Sequence, residues 1–327
     1  MSLKTTQRPL TIFIALLILL TACAPQTLTP VGAAAYNGEP PAETRASATK
    51  ITTGSPADTQ TSTSTDTPSA TPDQRLAPEE WQEWPVIPTV SANAKAIYED
   101  GLSRGTDPER FSKVGDCQNI TTYFLSIYDV PDLYELAPEK EYLQETIDHF
   151  AGDWSRESAA TAGGMNVASV LSTRWAEDDR CERGESPLSC ELRLNDPSIV
   201  LISMEESWGS ENKVETYERY MRMIIETVID AGAVPILATK ADNLEGDHQI
   251  NAVIARLAYD YDIPMWNFWR AVQPLPNHGL LEDGFHLTGA VYFNGPENLK
   301  LGWPMRNLTA LQTIDAVWRQ LNALPLP

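Results

Sequence analysis

Apolar residues from position 111 onward alternate between continuous runs and helical stripes. Continuous runs, which suit buried strands, predict strands at residues 198–204, 234–239 and 263–268. Apolar residues at helical spacing predict helices at residues 142–150, 211–231, 249–259 and 308–321. Because helices between strands imply crossover connections, the pattern predicts an α/β fold, a three-layer α/β/α sandwich with a mostly parallel central sheet.

The first residues have a different pattern, typical of an export signal. Lys4 and Arg8 precede the apolar run 10–20, which is too short for an ordinary membrane helix. The segment ends Leu-Thr-Ala-Cys23, which resembles the bacterial lipobox. It predicts a lipoprotein signal peptide at residues 1–22 and a lipid on Cys23 that anchors an exported protein to the outer face of a bacterial membrane. The alternative is an ordinary signal peptide followed by a chance cysteine.

Residues 23–78 lack a hydrophobic period. Twelve of the 22 residues from 51 to 72 are Ser or Thr, with Pro and Asp between them. Such a composition cannot bury enough apolar surface to offset chain entropy, so we predict a disordered tether. From Glu79 the sequence becomes rich in Trp, Ile, Val, Leu and Tyr, which predicts one large domain at residues 79–327.

Charge excludes one class of partner. The formal net charge is -21, from 45 acidic and 24 basic residues, and no basic patch is visible. A surface of this sign repels polyanions, so we expect no nucleic-acid partner. No motif suggests a cofactor or a metal ion, and the sequence does not define an oligomeric state.

The four cysteines differ in their predicted roles. Cys181 and Cys190 flank a turn-rich loop, residues 182–187, and are predicted to form a disulfide. If Cys23 carries the lipid, Cys117 is left as a free thiol. Cys117 stands in Phe-Ser-Lys-Val-Gly-Asp-Cys-Gln-Asn, where a short apolar strand pattern meets a turn and then a run compatible with a helix. A buried packing role is the alternative for this cysteine.

Polar residues follow three of the predicted strands directly. They are residues 115–117, 205–207 and 240–242. In a parallel sheet the ligand crevice lies beyond the carboxyl ends of the strands, so these segments are predicted to line one rim. Lys240 and Asp242 are expected there as a solvated pair.

Asp283 and His286 stand three residues apart in Leu-Glu-Asp-Gly-Phe-His-Leu-Thr-Gly. On one tight turn this spacing lets the carboxylate hold the imidazole in one tautomer and stabilise its charged form. A solvated pair on a surface turn is the alternative.

Gly115-Asp116-Cys117 after the first strand, together with the late Asp-x-x-His, resembles the SGNH or GDSL-like hydrolases from about Phe111 to the end of the chain. The resemblance implies a flavodoxin-like sandwich of the SGNH hydrolase type. It also implies that Cys117, at the position where the family usually has serine, is the nucleophile. His286 is then the general base, and Asp283 orients it. A helix N-terminus and an imidazolium would both lower the pKa of such a thiol.

The resemblance further implies an oxyanion hole with three donors. The first is the backbone N–H of Cys117. The second is Gly164, with Gly163 as the alternative, in Ala-Gly-Gly-Met-Asn-Val, where Leu171 follows Gly164 at the family's usual spacing. The third departs from the family, because Ser207 in Glu-Glu-Ser stands where an asparagine is usual.

Two functions therefore remain open. The first is an exported, lipid-anchored hydrolase that cleaves acyl or acetyl esters, including those of glycans, through Cys117, His286 and Asp283. The second is a catalytically silent scaffold that binds a glycan or a surface partner. Loops at residues 175–193 and 273–281 are predicted to shape the substrate pocket.

Overall fold

The computed structural model describes residues 75–204 and 213–327. Within them a parallel sheet has the order β1-β2-β3-β4. The strands are β1 (Asp107–Gly115), β2 (Pro197–Ser203), β3 (Val234–Ala238) and β4 (Met265–Trp266). The register places Gly115 opposite Ser203, so β1 and β2 end at the same level. The predicted parallel sheet is confirmed.

Seven α-helices accompany the sheet in these residues. They are α1 (Ala92–Arg104), α2 (Leu143–His149), α3 (Pro187–Asn195), α4 (Val214–Asp230), α5 (Gln249–Asp260), α6 (Phe268–Val272) and α7 (Gly302–Leu321). Local sequence sets several of the ends. The Ser91 side chain accepts a hydrogen bond from the backbone N–H of Ala94 at the start of α1, and Ser186 caps α3 in the same way. Pro187 then occupies the first turn of α3, where its missing N–H costs nothing.

The helices cover both faces of the sheet. Val200 and Ile202 of β2 belong to a core that also contains the apolar faces of α1, α4 and α5. Ile199 and Leu201, which alternate with them, belong to a second core with α2, α6 and α7. Successive side chains of a strand point to opposite faces, so the two cores lie on the two sides of one sheet. This arrangement confirms the three-layer sandwich.

The edge beyond β1 carries the remnant of a further strand. Gly115 forms a parallel bridge with Thr161, and its N–H donates to the carbonyl of Ala160. Since Ser203 pairs with Gly115 on one side, Thr161 lies on the other. With this bridge counted as a strand, the order becomes the flavodoxin-like 2-1-3-4-5, in which the ligand crevice opens beside the first strand.

Some elements differ from the predictions. Residues 175–193 were expected to be loop, but α3 occupies Pro187–Asn195. The strand expected at 263–268 shortens to Met265–Trp266, because the Asn267 side chain caps α6 by accepting from the N–H of Arg270. Helix α1 was not predicted. Arg75–Pro327 forms one compact unit, and its first element is a 3-10 helix at Pro78–Glu83. Residues 1–22 lie outside the described residues, so the signal peptide remains a prediction.

Candidate active site

The turn after β1 is built around a glycine. A Cβ on Gly115 would lie closer than 3.0 Å to the Asn119 side chain and to the carbonyl oxygen of Ser203. Only glycine therefore lets the chain turn here against β2. The buried Asp116 carboxylate accepts a hydrogen bond of 3.1 Å from the N–H of Gln118 and closes the turn. Residues Cys117–Asn119 form a single 3-10 turn, so the helix N-terminus expected to activate Cys117 is only one short turn.

A buried polar network supports this turn from below. Asn119 donates to the carbonyl of Ser203 at 2.8 Å and accepts from Arg306 at 3.0 Å. Arg306, which is fully buried on α7, also donates to the Ser203 hydroxyl at 2.9 Å. Its guanidinium lies over the rings of Phe124, Trp266 and Phe268. The network fixes the ends of β1 and β2 relative to each other.

Asp283 and His286 form the expected pair. One oxygen of Asp283 accepts from the backbone N–H groups of Phe285 and His286, both at 3.0 Å, and the other lies 2.6 Å from Nδ1 of His286. A carboxylate only accepts, so Nδ1 carries the proton and Nε2 of the neutral ring is a free base. The hydrogen bond from His286 lowers the pKa of Asp283 to about 2. The geometry is that of an oriented general base.

The turn of Cys117 and the turn of His286 are neighbours. The side-chain amide of Gln118 donates to the carbonyl of Phe285 at 3.3 Å. Cys117 and His286 each stand next to one of these two residues, and both are half-buried. The structure thus brings together two segments that lie 167 positions apart in the sequence.

The second predicted oxyanion segment reaches the same edge. It follows the bridge between Gly115 and Thr161. Gly164 has a φ of 79°, a left-handed conformation that favours glycine, and a Cβ on Gly163 would lie 4.0 Å from the side chain of Ile120. Gly163 therefore lies near the turn of Cys117, and the choice between the two glycines as donor stays a prediction.

Cys117 requires a correction. It was predicted to be a free thiol, but it is disulfide-bonded, and no free cysteine occurs among the described residues. The free thiol had been inferred from the expectation that Cys23 carries a lipid, which left Cys117 as the unpaired cysteine. As a disulfide sulfur, Cys117 is not a nucleophile in this state, since only a thiolate attacks.

Two further predicted residues cannot be placed. Ser207, the third predicted oxyanion donor, and Cys23, the predicted lipidation site, lie outside the described residues. Their roles remain predictions.

Lys240 and Asp242 do lie at the end of β3, but not as a solvated pair. Their side chains are each 1% exposed, and the Lys240 ammonium contacts Asp242 at 2.8 Å and Glu245 at 2.6 Å. Burial raises the pKa of Asp242 to about 7, against the opposing effect of the Lys240 charge. The expectation of solvent exposure was wrong, because the chain after β3 folds Glu245 back over the lysine.

The predicted disulfide between Cys181 and Cys190 is present. Glu185 lies close to both sulfurs, and in the described part of the chain these three residues are the one group with the spacing of a metal site. The two sulfurs are bonded to each other, so they cannot act as thiolate ligands.

Sequence reasoning missed the supporting residues Asn119, Ser203 and Arg306. Asn119 stands two residues after Cys117, and this position could have marked it as a residue that supports the turn. Nothing in the local pattern marks Arg306 as buried, because a single arginine in an amphipathic helix normally faces solvent.

Comparisons with known proteins give little further support. No family model matches the sequence, and no curated protein matches it. A solved GDSL-like lipase from Bacteroides thetaiotaomicron is similar to this chain, with a TM-score of 0.39 and 16% sequence identity, over 68% of this chain and 98% of the lipase. None of the helices in the described residues is long and apolar enough to cross a bilayer.

Proposed function

We propose that the protein is an ester hydrolase of the SGNH type, exported and lipid-anchored through Cys23, that acts on acyl or acetyl esters, with glycan esters as one substrate class. The observation that carries the proposal is the adjacency of the Cys117 turn to the Asp283–His286 pair, joined by the hydrogen bond from Gln118 to Phe285. The second glycine segment at the same edge adds support.

In a chain whose Cys117 is disulfide-bonded, the proposed reaction begins with reduction. A thiol reductant supplies two electrons and two protons, and the disulfide of Cys117 becomes two thiols. In a lipidated chain the Cys23 sulfur is a thioether, which cannot form a disulfide, so Cys117 is already a thiol and this step is not needed. Nε2 of His286 then takes the proton of the Cys117 thiol, and the sulfur attacks the ester carbonyl while Asp283 stabilises the imidazolium. The backbone N–H of Cys117, with Gly164 and Ser207, holds the oxyanion. The alcohol leaves with the proton from His286, and water, deprotonated by His286, releases the acid and restores the thiol.

The test is turnover of p-nitrophenyl acetate by protein produced without the lipid, with and without dithiothreitol. Reduced protein should release many equivalents of p-nitrophenol, and oxidised protein should release almost none. His286→Gln is the matched variant, because it keeps the thiol but removes the base, and general-base catalysis typically contributes about 10²–10⁴-fold. Cys117→Ala should also be inactive.

A further variant separates the two disulfides. Cys181→Ser with Cys190→Ser removes the other disulfide, so any effect of dithiothreitol that persists in it comes from Cys117. Release limited to one equivalent, or turnover equal in the His286→Gln variant, would refute the proposal.

One observation favours a second function, a silent binding module. The disulfide at Cys117 leaves the described site without a nucleophile. A scaffold of this kind would bind a polysaccharide, remain inert to an ester panel after reduction, and gain hydrolysis in the combined Cys117→Ser and Ser207→Asn variant. Hydrolysis by the reduced native protein would rule it out.

The anchor is tested separately. Cys23→Ser should move the protein from the membrane fraction to the soluble fraction and abolish incorporation of labelled fatty acid. Unchanged membrane association without label in the native chain would contradict lipidation.

A further inference from the structure

A cavity of about 790 Å³ lies between residues 128–136 and helix α2. This volume is within the range of ligand-binding cavities. Its wall includes the carboxylates of Asp129, Asp132, Glu141 and Asp148, and no Lys, Arg or His is among the lining residues. The lining therefore carries negative charge and no cationic side chain, while the buried Lys113, outside the lining, interacts electrostatically with Asp129.

One buried polar group in the wall lacks a partner. Tyr128 is 4% exposed, and its hydroxyl makes no hydrogen bond. Edge contacts with Tyr134 and Trp154, both at 5.2 Å, fix its ring. Burial, followed by the proximity of Tyr134, raises the pKa of Tyr128, so the hydroxyl stays protonated. Tyr128 and Tyr134 both belong to the cavity wall. Most buried hydroxyls are hydrogen-bonded, and a ligand group would complete this one.

The neighbouring polar groups are ordered. The Tyr134 hydroxyl donates to the side-chain carbonyl of Gln144 at 3.2 Å, and the amide of Gln144 donates to Asp148 at 2.8 Å. Among the described residues, no hydrogen bond or ion pair engages the carboxylates of Asp132 and Glu141. Two carboxylates and one tyrosine hydroxyl therefore remain for a ligand.

The arrangement does not suit a metal ion. The carboxylate oxygens of the cavity do not converge to metal-ligand spacing, since the group that does so in the described chain lies at Cys181, Glu185 and Cys190. Carboxylates spread around a cavity with two tyrosine rings suit a ligand whose positive charges are also spread, and whose methylene groups pack on the rings.

We propose that this cavity binds a small aliphatic polyamine, with its ammonium groups at Glu141 and Asp132 and one of them donating to the Tyr128 hydroxyl. Neither Asp283 nor His286 lines the cavity, and the proposal does not depend on ester hydrolysis.

The test is calorimetric titration of the oxidised, full-length protein with spermidine at 150 mM salt. One equivalent should bind saturably. Tyr128→Phe removes only the hydroxyl and should weaken binding about tenfold, the loss typical of a hydrogen bond with a charged partner. Glu141→Gln should weaken binding about fivefold, as for a partly exposed charge pair. Asp179→Asn, which removes one exposed charge at a residue that does not line the cavity, is the control and should leave affinity within twofold.

A neutral probe and a thermal melt complete the design. Triethylene glycol, which has no charge, should not bind, and the Tyr128→Phe protein should melt at the native temperature. Diffuse binding of several spermidines that magnesium chloride displaces equally well would overturn the proposal. Saturable binding that Tyr128→Phe leaves unchanged would also overturn it.

Discussion

Gly115 is the position where one added methyl group should do the most damage to the site. In Gly115→Ala the new Cβ would lie closer than 3.0 Å to two groups, the Asn119 side chain and the Ser203 carbonyl oxygen. Asn119 can rotate away, but only by giving up its hydrogen bond to Ser203. The Ser203 carbonyl is backbone of β2, paired with β1 at this level, so it yields only if the strands move apart.

The cost follows from these two responses. Overpacking against backbone typically costs about 1–3 kcal/mol, and a lost buried hydrogen bond adds about 1 kcal/mol. We expect Gly115→Ala to lower the free energy of unfolding by about 2–4 kcal/mol. Urea denaturation followed by tryptophan fluorescence measures this value, with an unchanged m-value as the check on two-state unfolding.

The chain provides a matched control. A Cβ on Gly163 would lie 4.0 Å from the nearest side chain, which is ordinary contact. Gly163→Ala should therefore change stability by no more than about 1 kcal/mol, in the stabilising direction if its backbone suits alanine. Gly115→Ala combined with Asn119→Ala should recover little, because the clash with the Ser203 carbonyl remains. If Gly115→Ala and Gly163→Ala have equal stabilities, the packing argument for this turn is wrong.

Three further predictions concern stability. Cys181→Ser with Cys190→Ser should destabilise the domain by about 2–3 kcal/mol, the usual effect of opening a short loop, measured by thermal or urea unfolding; an unchanged midpoint would contradict it. Because the pKa of Asp283 is depressed to about 2, its pair with His286 stabilises the fold above pH 4, and this contribution is lost as the pH falls towards 2. The deficit of Asp283→Asn should therefore be present at pH 5 and smaller at pH 2.5, and a constant deficit would refute the linkage. Because the pKa of Asp242 is raised to about 7, its ionisation opposes folding as the pH rises from 4 to 7, so Asp242→Asn should show a flatter stability profile over that range; a parallel profile would argue against it.

The elements that the sequence predicted well are those with strong periodicity. Helices α4 and α5 and strands β2 and β3 lie within a few residues of their predicted ends. Helix α3 was missed because its buried side includes Glu191, which is fully buried and accepts from the N–H of Ala159 at 2.8 Å. The pattern of apolar and polar residues predicts that a glutamate is exposed. It cannot predict that the glutamate is buried and hydrogen-bonded to a backbone group that is distant in the sequence.

The residues of the candidate site also divide into those that the sequence predicted and those that it did not. Asp283 and His286 were found because their interaction is local in sequence. The network beneath the Cys117 turn was not found, because Asn119 lies 84 positions from Ser203 and 187 positions from Arg306. The oxidation state of Cys117 could not be predicted, since it depends on whether Cys23 is available as a partner or carries a lipid.

Arg306 makes the turn of Cys117 depend on a segment that is synthesised 103 positions after Ser203. Strands β1 and β2 can pair on a nascent chain, but their shared end lacks the guanidinium that Asn119 and the Ser203 hydroxyl require until α7 has left the ribosome. A chain truncated before α7 therefore keeps the strands and loses the support of the turn. Such a fragment should be trapped by chaperones rather than accumulate as a folded domain.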